Sequence, residues 1–302
     1  MDRARYDGDM EDTPVIGRFA PSPTGPLHQG SLIAAVASYL DARSADGQWR
    51  LRIDDVDRGR SRAAAASAIL TTLEAFGLEW DGPVQYQDDR RERYQAALEH
   101  LEAAGQAYPC GCSRREIAAA AHYGPAGMIY PGTCRSGIPA GKTARSWRFR
   151  VPTGTLAFTD RLAGEQSIDP AEAIGDFVIR RGDGLHAYHL AMVLDDADLG
   201  VTDVVRGGDL LTATFPQILL QDALGLPRPR YLHLPVALDE AGSKLSKTNG
   251  APPVRPDEAS RSLGDALTFL GHPPPTFLSG APVAGLLDWA VQQWRPSAIP
   301  AP

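Results

Sequence analysis

The sequence predicts an α/β protein, in which a parallel-sheet domain of the Rossmann type is interrupted by a cysteine-containing insert and followed by a short helical tail. The first observation is the order strand, Pro/Gly-rich turn, helix and strand across residues 14–53. The second is that Cys110, Cys112 and Cys134, the only cysteines, lie close together in the chain. The third is a proline-rich C-terminal segment. A βαβ unit places its ligands at the carboxyl ends of its strands, so the turn should face a binding crevice.

The composition is that of an ordinary globular protein with room for two domains. The chain has 302 residues, a formal net charge of −7 and 43% hydrophobic side chains. Its longest apolar stretch, residues 31–40, is broken by serines and is shorter than the roughly 18 residues that a membrane span needs. The first twelve residues are acidic and lack the apolar run of a secretory signal. We therefore expect a cytoplasmic protein with no membrane contact, in which the binding of a nucleic acid would need a local basic face.

The elements follow from hydrophobic spacing and turn residues. Residues 14–20 form an apolar strand, residues 21–26 a turn, and the helix beginning near His28 repeats apolar residues every three or four positions. Residues 49–53 alternate like a second strand and end in the acids Asp54, Asp55 and Asp57. Later segments are predicted as helices at 63–76, 91–104, 210–224, 256–270 and 284–294, and as strands at 146–151, 177–180, 186–194, 201–205 and 232–238. The predicted units are 1–107 and 139–250 as two halves of one domain, 108–138 as the insert and 251–302 as the tail.

Two short motifs are suited to phosphate chemistry. His28 and Gly30 stand at the start of the first helix, where free N–H groups and the helix dipole favour an anion. Lys244 and Lys247 lie in a loop rich in glycine and serine, and two such cations can stabilise the charge that grows on a leaving pyrophosphate. Taken singly, the histidine motif is more often a helix cap or a surface residue, and the lysine pair is typical of a solvated loop.

Together the motifs resemble two signatures of class I aminoacyl-tRNA synthetases. The segment His28-Gln-Gly-Ser31 is similar to His-x-Gly-His, and Lys244-Leu-Ser-Lys-Thr248 is similar to Lys-Met-Ser-Lys-Ser. Residues 18–25, 51–57 and 204–210 look like the glutamyl branch of this family, so the resemblance runs from about residue 15 to residue 254. It implies that ATP binding and catalysis fall to His28, Gly30, Ser31, Lys244 and Lys247.

The resemblance also implies a glutamate pocket. A guanidinium such as that of Arg206 can bind the side-chain carboxylate through two parallel hydrogen bonds. Asp54 departs from the family, which usually has Glu at this position to meet the substrate ammonium. Asp54 could act there through a water, Asp55 could replace it, or Asp54 could simply pair with Arg52 or Arg58. The glutamate-binding residues implied by the resemblance are Arg18, Phe19, Ala20, Pro21, Ser22, Asp54, Tyr188 and Arg206.

The cysteine cluster predicts one structural zinc. Cys110, Cys112 and Cys134 supply three thiolates, and zinc in a closed site prefers four ligands. The resemblance proposes Tyr130 as the fourth ligand, whereas His122 is the more usual zinc ligand by chemistry. The alternative is that the cysteines are free and buried.

The resemblance implies a ligase that uses ATP and Mg²⁺ to activate L-glutamate. Within the glutamyl branch the decisive point is size: only 52 residues follow residue 250, too few for the anticodon-binding region of a tRNA-charging enzyme. The chain therefore resembles the truncated paralogues of the glutamyl branch, which transfer glutamate to queuosine in tRNA(Asp). The alternatives are a short enzyme that charges the 3′ end of a tRNA and a non-catalytic tRNA-binding paralogue. Basic clusters that could form an RNA face are Arg58, Arg60 and Arg62, then Arg90, Arg91 and Arg93, and then Arg145, Arg148 and Arg150.

Overall fold

The structure, a computed structural model, describes residues 14–124, 127–237 and 253–301. Within these ranges it contains short strands and helices that alternate along most of the chain. The strands are Ile16–Phe19 (β1), Gln48–Ile53 (β2), Gln85–Tyr86 (β3), Ala107–Cys110 (β4), His122–Gly124 (β5), Gly127–Ile129 (β6), Ser146–Phe149 (β7), Leu156–Asp160 (β8), Gly164–Ile168 (β9), Val178–Arg180 (β10), Asp203–Gly207 (β11) and Arg230–Leu234 (β12). The helices are Gln29–Arg43 (α1), Ala63–Ala75 (α2), Arg91–Ala103 (α3), Arg114–Ala120 (α4), Pro170–Ala173 (α5), Tyr188–Asp198 (α6), Thr214–Leu224 (α7), Ala259–Phe269 (α8) and Val283–Gln293 (α9).

The parallel strands confirm the predicted α/β class. β1 pairs with β2, and β2 with β3, all in parallel. β11 and β12 form a second parallel pair. The two groups meet where the backbone N–H of Thr202 donates to the carbonyl of Ile16 at 3.0 Å. The carboxyl ends of β1, β2 and β11 therefore face the same side of the molecule.

The largest hydrophobic core lies between the parallel strands and α1. A Cβ atom at Gly17 of β1 would lie only 3.2 Å from the Cβ of Ala42, so the glycine lets α1 pack closely on the strand. The C-terminal helices α8 and α9 contribute Leu267 and Leu287 to this same core. The indole N–H of Trp294 also donates to Asp41 of α1 at 3.1 Å. The C-terminal segment is thus packed against the helix that follows the first strand.

The strands near the cysteines pair in antiparallel fashion. β7 lies between β4 and β10 in an antiparallel sheet, and β5 pairs with β6 in a short hairpin. The helix α4 begins with a capping box, in which Ser113 and Glu116 satisfy each other's backbone N–H groups. These elements surround the three cysteines.

The prediction of a strand over residues 186–194 is wrong, because this segment begins helix α6. Leu190 to Asp196 are all buried in the helix, so the sequence shows a continuous apolar run instead of an amphipathic pattern. Such a run is equally compatible with a buried strand. The hairpin of β8 and β9 was not predicted, and the strand expected over 232–238 spans Arg230–Leu234, with residue 238 outside the described ranges.

Three glycines that follow the ends of helices α2, α3 and α7 have the left-handed backbone that is typical of a helix end. Gly77, Gly105 and Gly225 have φ angles of 63°, 69° and 64°. Among the helices that the structure describes, none combines the length and apolar character needed to cross a membrane.

Candidate active site and metal centre

A cavity of about 390 Å³ opens at the carboxyl ends of β1 and β11. It is enclosed by the turn after β1, the first turn of α1, the residue after β2 and the start of α6. The structure therefore brings together predicted site residues that are far apart in the sequence. Those that line the cavity are Arg18, Phe19, Ala20, Pro21, Ser22, His28, Gly30, Ser31, Asp54, Tyr188 and Arg206. Lys244 and Lys247 lie outside the described residues.

The turn after β1 leads into α1, and the first residues of α1 line the cavity. His28 is the N-cap residue of α1 and has an extended backbone, and its Nε2 lies 3.0 Å from the hydroxyl oxygen of Ser31. The carbonyl of Leu27 accepts a hydrogen bond from Val254 at 2.9 Å, which ties the C-terminal segment to this turn. The first N–H groups of a helix have no partner within the helix, so Gly30 and Ser31 suit an anionic ligand.

One wall of the cavity is organised by Arg52, a residue that the sequence did not place in the site. Its side chain is completely buried. The Nε atom donates to Asp54 at 2.6 Å, and Nη1 donates to Asp196, also at 2.6 Å. Arg18 approaches the same Asp196 at 3.4 Å. Arg52 therefore fixes the carboxylate of Asp54, which lines the cavity, from behind.

A third buried carboxylate extends this network away from the cavity. Asp195 accepts hydrogen bonds from the Tyr94 hydroxyl at 2.7 Å, from Gln87 at 2.8 Å and from Arg90 at 2.6 Å. The network thus balances three arginines, Arg18, Arg52 and Arg90, against three aspartates, Asp54, Asp195 and Asp196. Buried charges need such pairing, because removal from water is costly for each of them.

The two carboxylates beside Arg52 titrate differently. Burial raises the pKa of Asp54 to about 6, despite the opposing effect of Arg52. Burial also acts to raise the pKa of Asp196, but Arg18 and Arg52 together hold that pKa below its usual value. The pairing of Asp54 with Arg52 is one of the alternatives that the sequence left open. Asp55 instead accepts the backbone N–H of Asp88 at 2.9 Å, and Arg58 pairs with Asp88.

The opposite wall presents Arg206, which is supported by neutral groups. Its Nε donates to Nε2 of His233 at 3.0 Å, and its Nη2 donates to the hydroxyl of Thr214 at 2.8 Å. The other ring nitrogen of His233 lies 2.6 Å from a carboxylate oxygen of Asp160. Burial lowers the pKa of His233, and these partners assign a neutral ring that donates from Nδ1 and accepts at Nε2.

The guanidinium of Arg206 has a hydrogen-bond donor that the described residues do not use. Its Nη1 is buried and has no hydrogen-bond partner among the described residues. Its guanidinium also forms no ion pair with any carboxylate in the described part of the chain, and it reaches Asp160 only through His233. A buried arginine with an unused N–H group, in the wall of a cavity, is suited to bind a carboxylate.

The cysteine cluster is separate from this cavity. The sulfur atoms of Cys110, Cys112 and Cys134 lie within 4.8 Å of one another, and all three residues are buried. The phenolic oxygen of Tyr130 lies 3.3 Å from the sulfur of Cys110 and 3.4 Å from that of Cys112. In the part of the chain that the structure describes, this is the one group of three or more His, Cys, Asp or Glu residues close enough to hold a metal ion.

The cluster has the composition and spacing of a closed metal site. Sulfur ligands of a tetrahedral zinc lie about 3.8 Å apart, given Zn–S bonds of about 2.3 Å. Cys112 and Cys134 are 3.6 Å apart. His122, the alternative fourth ligand, is exposed on β5 opposite Ile129. The geometry therefore brings Tyr130, and not His122, to the three sulfur atoms.

Comparison with known proteins places these features in context. Residues 14–265 match the family model described as tRNA synthetases class I (E and Q), catalytic domain. A glutamyl-Q tRNA(Asp) synthetase of Aromatoleum aromaticum is 53% identical over 287 residues, which cover 95% of this chain and 91% of that protein. The protein of the same name from Chromobacterium violaceum is 53% identical over 292 residues, which cover 97% of each chain.

Solved structures show the same fold. A glutamate tRNA ligase from Elizabethkingia meningosepticum, in complex with its amino acid, superposes with a TM-score of 0.80 at 24% identity over 95% of this chain. A glutamate-tRNA synthetase from Elizabethkingia anophelis gives a TM-score of 0.79, also at 24% identity. This chain spans 66% and 67% of the lengths of those two proteins.

Proposed function

The chain belongs to the catalytic-domain family of the class I tRNA synthetases for glutamate and glutamine, and we propose that it is a ligase that activates L-glutamate with ATP and transfers it to queuosine in the anticodon loop of tRNA(Asp). The relatives that carry this activity in their names match this chain over more than nine-tenths of their own length. We therefore propose the complete activity of these relatives for this chain.

The observation that carries the choice of amino acid is the charge of the cavity. Arg18, Arg52 and Arg90 are balanced by three aspartates, whereas Arg206 has no carboxylate partner among the described residues. Glutamate at neutral pH has two carboxylates and one ammonium group, so it can supply the direct carboxylate partner that Arg206 lacks among the described residues. We assign the side-chain carboxylate to Arg206 and the ammonium group to Asp54. Ser22 and Tyr188 also line the cavity.

The first chemical step is an in-line displacement at phosphorus. The α-carboxylate of glutamate attacks the α-phosphate of ATP, a bond to the bridging oxygen breaks, and pyrophosphate leaves. His28, Gly30 and Ser31 bind the phosphates at the start of α1, while Lys244 and Lys247, which lie outside the described residues, supply positive charge. Mg²⁺ bound with ATP would neutralise further phosphate charge. The chain itself contributes positioning and electrostatic stabilisation.

The second step transfers the glutamyl group to RNA. A hydroxyl of queuosine attacks the carbonyl carbon of the adenylate, and AMP leaves with the electron pair of the broken C–O bond. No protein nucleophile is needed, because the mixed anhydride is already activated. The cavity must therefore admit a nucleoside from the anticodon loop beside the adenylate.

We also propose that the cysteine cluster binds one structural zinc ion. Cys110, Cys112 and Cys134 would supply three sulfur ligands and Tyr130 a phenolic oxygen, giving the four ligands that a closed site requires. The site stabilises the insert and takes no part in the transfer of glutamate.

The test uses labelled glutamate, ATP and two forms of tRNA(Asp), one containing queuosine and one lacking it. We expect label only on the queuosine-containing form, in a linkage that mild alkali cleaves. Prior periodate oxidation should abolish labelling, since it destroys the vicinal hydroxyls of queuosine. Equal labelling of both forms would support 3′-end charging instead. Failure of glutamate-dependent pyrophosphate exchange would support the non-catalytic paralogue.

A further inference from the structure

A second groove, of about 1070 Å³, lies beside the cysteine cluster and outside the glutamate cavity. Its walls come from the segment after β4, from the loop before β7, and from the end of β10 with the turn that follows. Four of its lining residues are glycines, at positions 111, 141, 182 and 184. A Cβ atom at Gly141 or Gly184 would have no described neighbour within 4 Å, so a ligand could approach the backbone closely at these two positions.

The side chains that line the groove are strongly basic. They include five cations, Arg115, Lys142, Arg145, Arg180 and Arg181, and one acid, Glu116. Lys142 pairs with Glu116 at 2.5 Å, and Arg181 pairs with Asp57 at 2.8 Å and with Asp183 at 2.5 Å. Arg115, Arg145 and Arg180 have no carboxylate partner in the described ranges. On a chain with a net charge of −7, this leaves a local excess of positive charge.

The groove also has hydrogen-bond donors without acceptors. The indole N–H of Trp147 and the Nε–H of Arg180 are both buried, and neither has a partner among the described residues. The guanidinium of Arg180 lies 4.9 Å from the centre of the Trp147 ring, so the two side chains form one surface. Unsatisfied donors beside unpaired cations favour a ligand that is anionic and rich in acceptor atoms.

Several arginines of the other basic clusters already have a charged or aromatic partner. Arg58 and Arg91 both pair with Asp88. Arg90 and Arg93 both pair with Asp198. Arg148 is buried over the ring of Tyr130. The positive electrostatic potential around these clusters is therefore weaker than the number of their arginines suggests. The groove, in contrast, has three arginines without a carboxylate partner in the described ranges.

We propose that the groove binds the phosphodiester backbone of the tRNA substrate, close to the nucleotide that enters the cavity. This inference rests on the proposed function. Only the short turn after β10 separates Arg180 from Tyr188, which lines the cavity, and the partner of Arg181 is Asp57, which follows Asp54. A phosphate backbone matches fork-shaped guanidinium groups.

The experiment compares wild-type protein with Arg115→Ala/Arg145→Ala, a pair of exposed side chains, and with Arg180→Ala. The KM for queuosine-containing tRNA(Asp) should rise about tenfold in the double variant. The slope of log affinity against log salt should become shallower by about one for each phosphate that the variant no longer binds. Glutamate-dependent pyrophosphate exchange without tRNA should be unchanged. Arg261→Ala, which removes an equally exposed charge from α8, is the matched control and should leave the tRNA KM unaltered.

Two results would overturn the inference. In one, the double variant and Arg180→Ala keep the wild-type KM for tRNA and the wild-type salt slope. In the other, poly-glutamate competes for the groove better than tRNA(Asp) does, which would indicate an acidic protein partner. Failure of the proposed function would be visible separately, because the wild-type protein would then transfer glutamate to no queuosine-containing tRNA.

Discussion

The glutamate cavity and the cysteine cluster are both buried and polar, but they compensate their polar groups in different ways. Around the cavity, Arg52 binds Asp54 and Asp196 at 2.6 Å each, so charges of opposite sign come from the protein itself. In the cluster, three sulfur atoms lie within 4.8 Å of one another, and the phenolic oxygen of Tyr130 lies 3.3 and 3.4 Å from two of them. The buried charges around Arg52 are therefore balanced by side chains of the protein itself. The cluster instead presents sulfur and oxygen atoms of the kind that bind a metal cation.

The pKa values of the two thiols that contact Tyr130 are shifted in opposite directions. Burial acts to raise the pKa of Cys110, but the hydrogen bond with Tyr130 and the nearby Arg148 lower it to about 7. Burial raises the pKa of Cys112. A divalent cation would stabilise both residues as thiolates, which are the forms that bind metal. Glutamate activation and metal binding should therefore be separable by experiment.

The largest effect should come from Arg206→Ala, which removes the one arginine of the cavity that the described carboxylates do not balance. We expect kcat/KM for glutamate in pyrophosphate exchange to fall by about 10³-fold or more, since a buried carboxylate would lose its charged partner. Discrimination between glutamate and glutamine should be lost as well. A variant that still prefers glutamate strongly would show that the balance of charges does not select the substrate.

A smaller loss is expected from Lys247→Ala. If the cavity binds glutamate through its own charges, the lysine should matter for the developing pyrophosphate and not for the amino acid. The exchange rate should fall by about 10²-fold, the usual scale for losing one stabilising group, with little change in the KM for glutamate. Exchange at the wild-type rate would remove Lys247 from the chemistry.

The pH dependence of glutamate use tests Asp54. Its pKa is raised to about 6, chiefly by burial, so the carboxylate becomes protonated as the pH falls through that value. The neutral form cannot pair with the substrate ammonium, and kcat/KM for glutamate should fall by up to about tenfold per pH unit below 6. At saturating glutamate, kcat/KM for ATP should lack this limb. An identical limb for both substrates would assign the titration to another group.

The smallest effect on activation should come from changing the cluster. Freshly purified protein should hold about one zinc per chain, with three sulfur ligands and one oxygen ligand. Cys112→Ser should lose the metal and destabilise the insert, while glutamate-dependent exchange changes little. His122→Ala is the matched control and should retain zinc. Absence of metal would remove the site, and a spectrum with sulfur and imidazole ligands would replace Tyr130 with His122.

Local sequence patterns predicted much of this arrangement. The strand, turn and helix around His28 were visible because a βαβ unit is encoded by neighbouring residues. The three cysteines were visible because they are close in the chain, and their sulfur atoms are also close in space. The family resemblance supplied Arg206 and Asp54 as candidates, and the structure brings both residues to one cavity.

The residues that support the site could not be found in this way. Asp195 and Asp196 lie inside the apolar run of α6, and their partners Tyr94 and Arg52 are 101 and 144 residues away. His233 also looks like an ordinary strand residue until β12 places it beside Arg206. Such pairs follow from packing between distant elements, and short-range periodicity carries no information about them.

The site of glutamate transfer is the most direct test of the proposed function. The measurement removes the 3′-terminal adenosine from queuosine-containing tRNA(Asp) and then supplies labelled glutamate and ATP. Transfer to the queuosine base predicts that labelling survives this truncation at the level of the intact tRNA. Loss of labelling from the truncated tRNA, or efficient charging of intact tRNA(Glu), would contradict this function and identify an enzyme that charges the 3′ end.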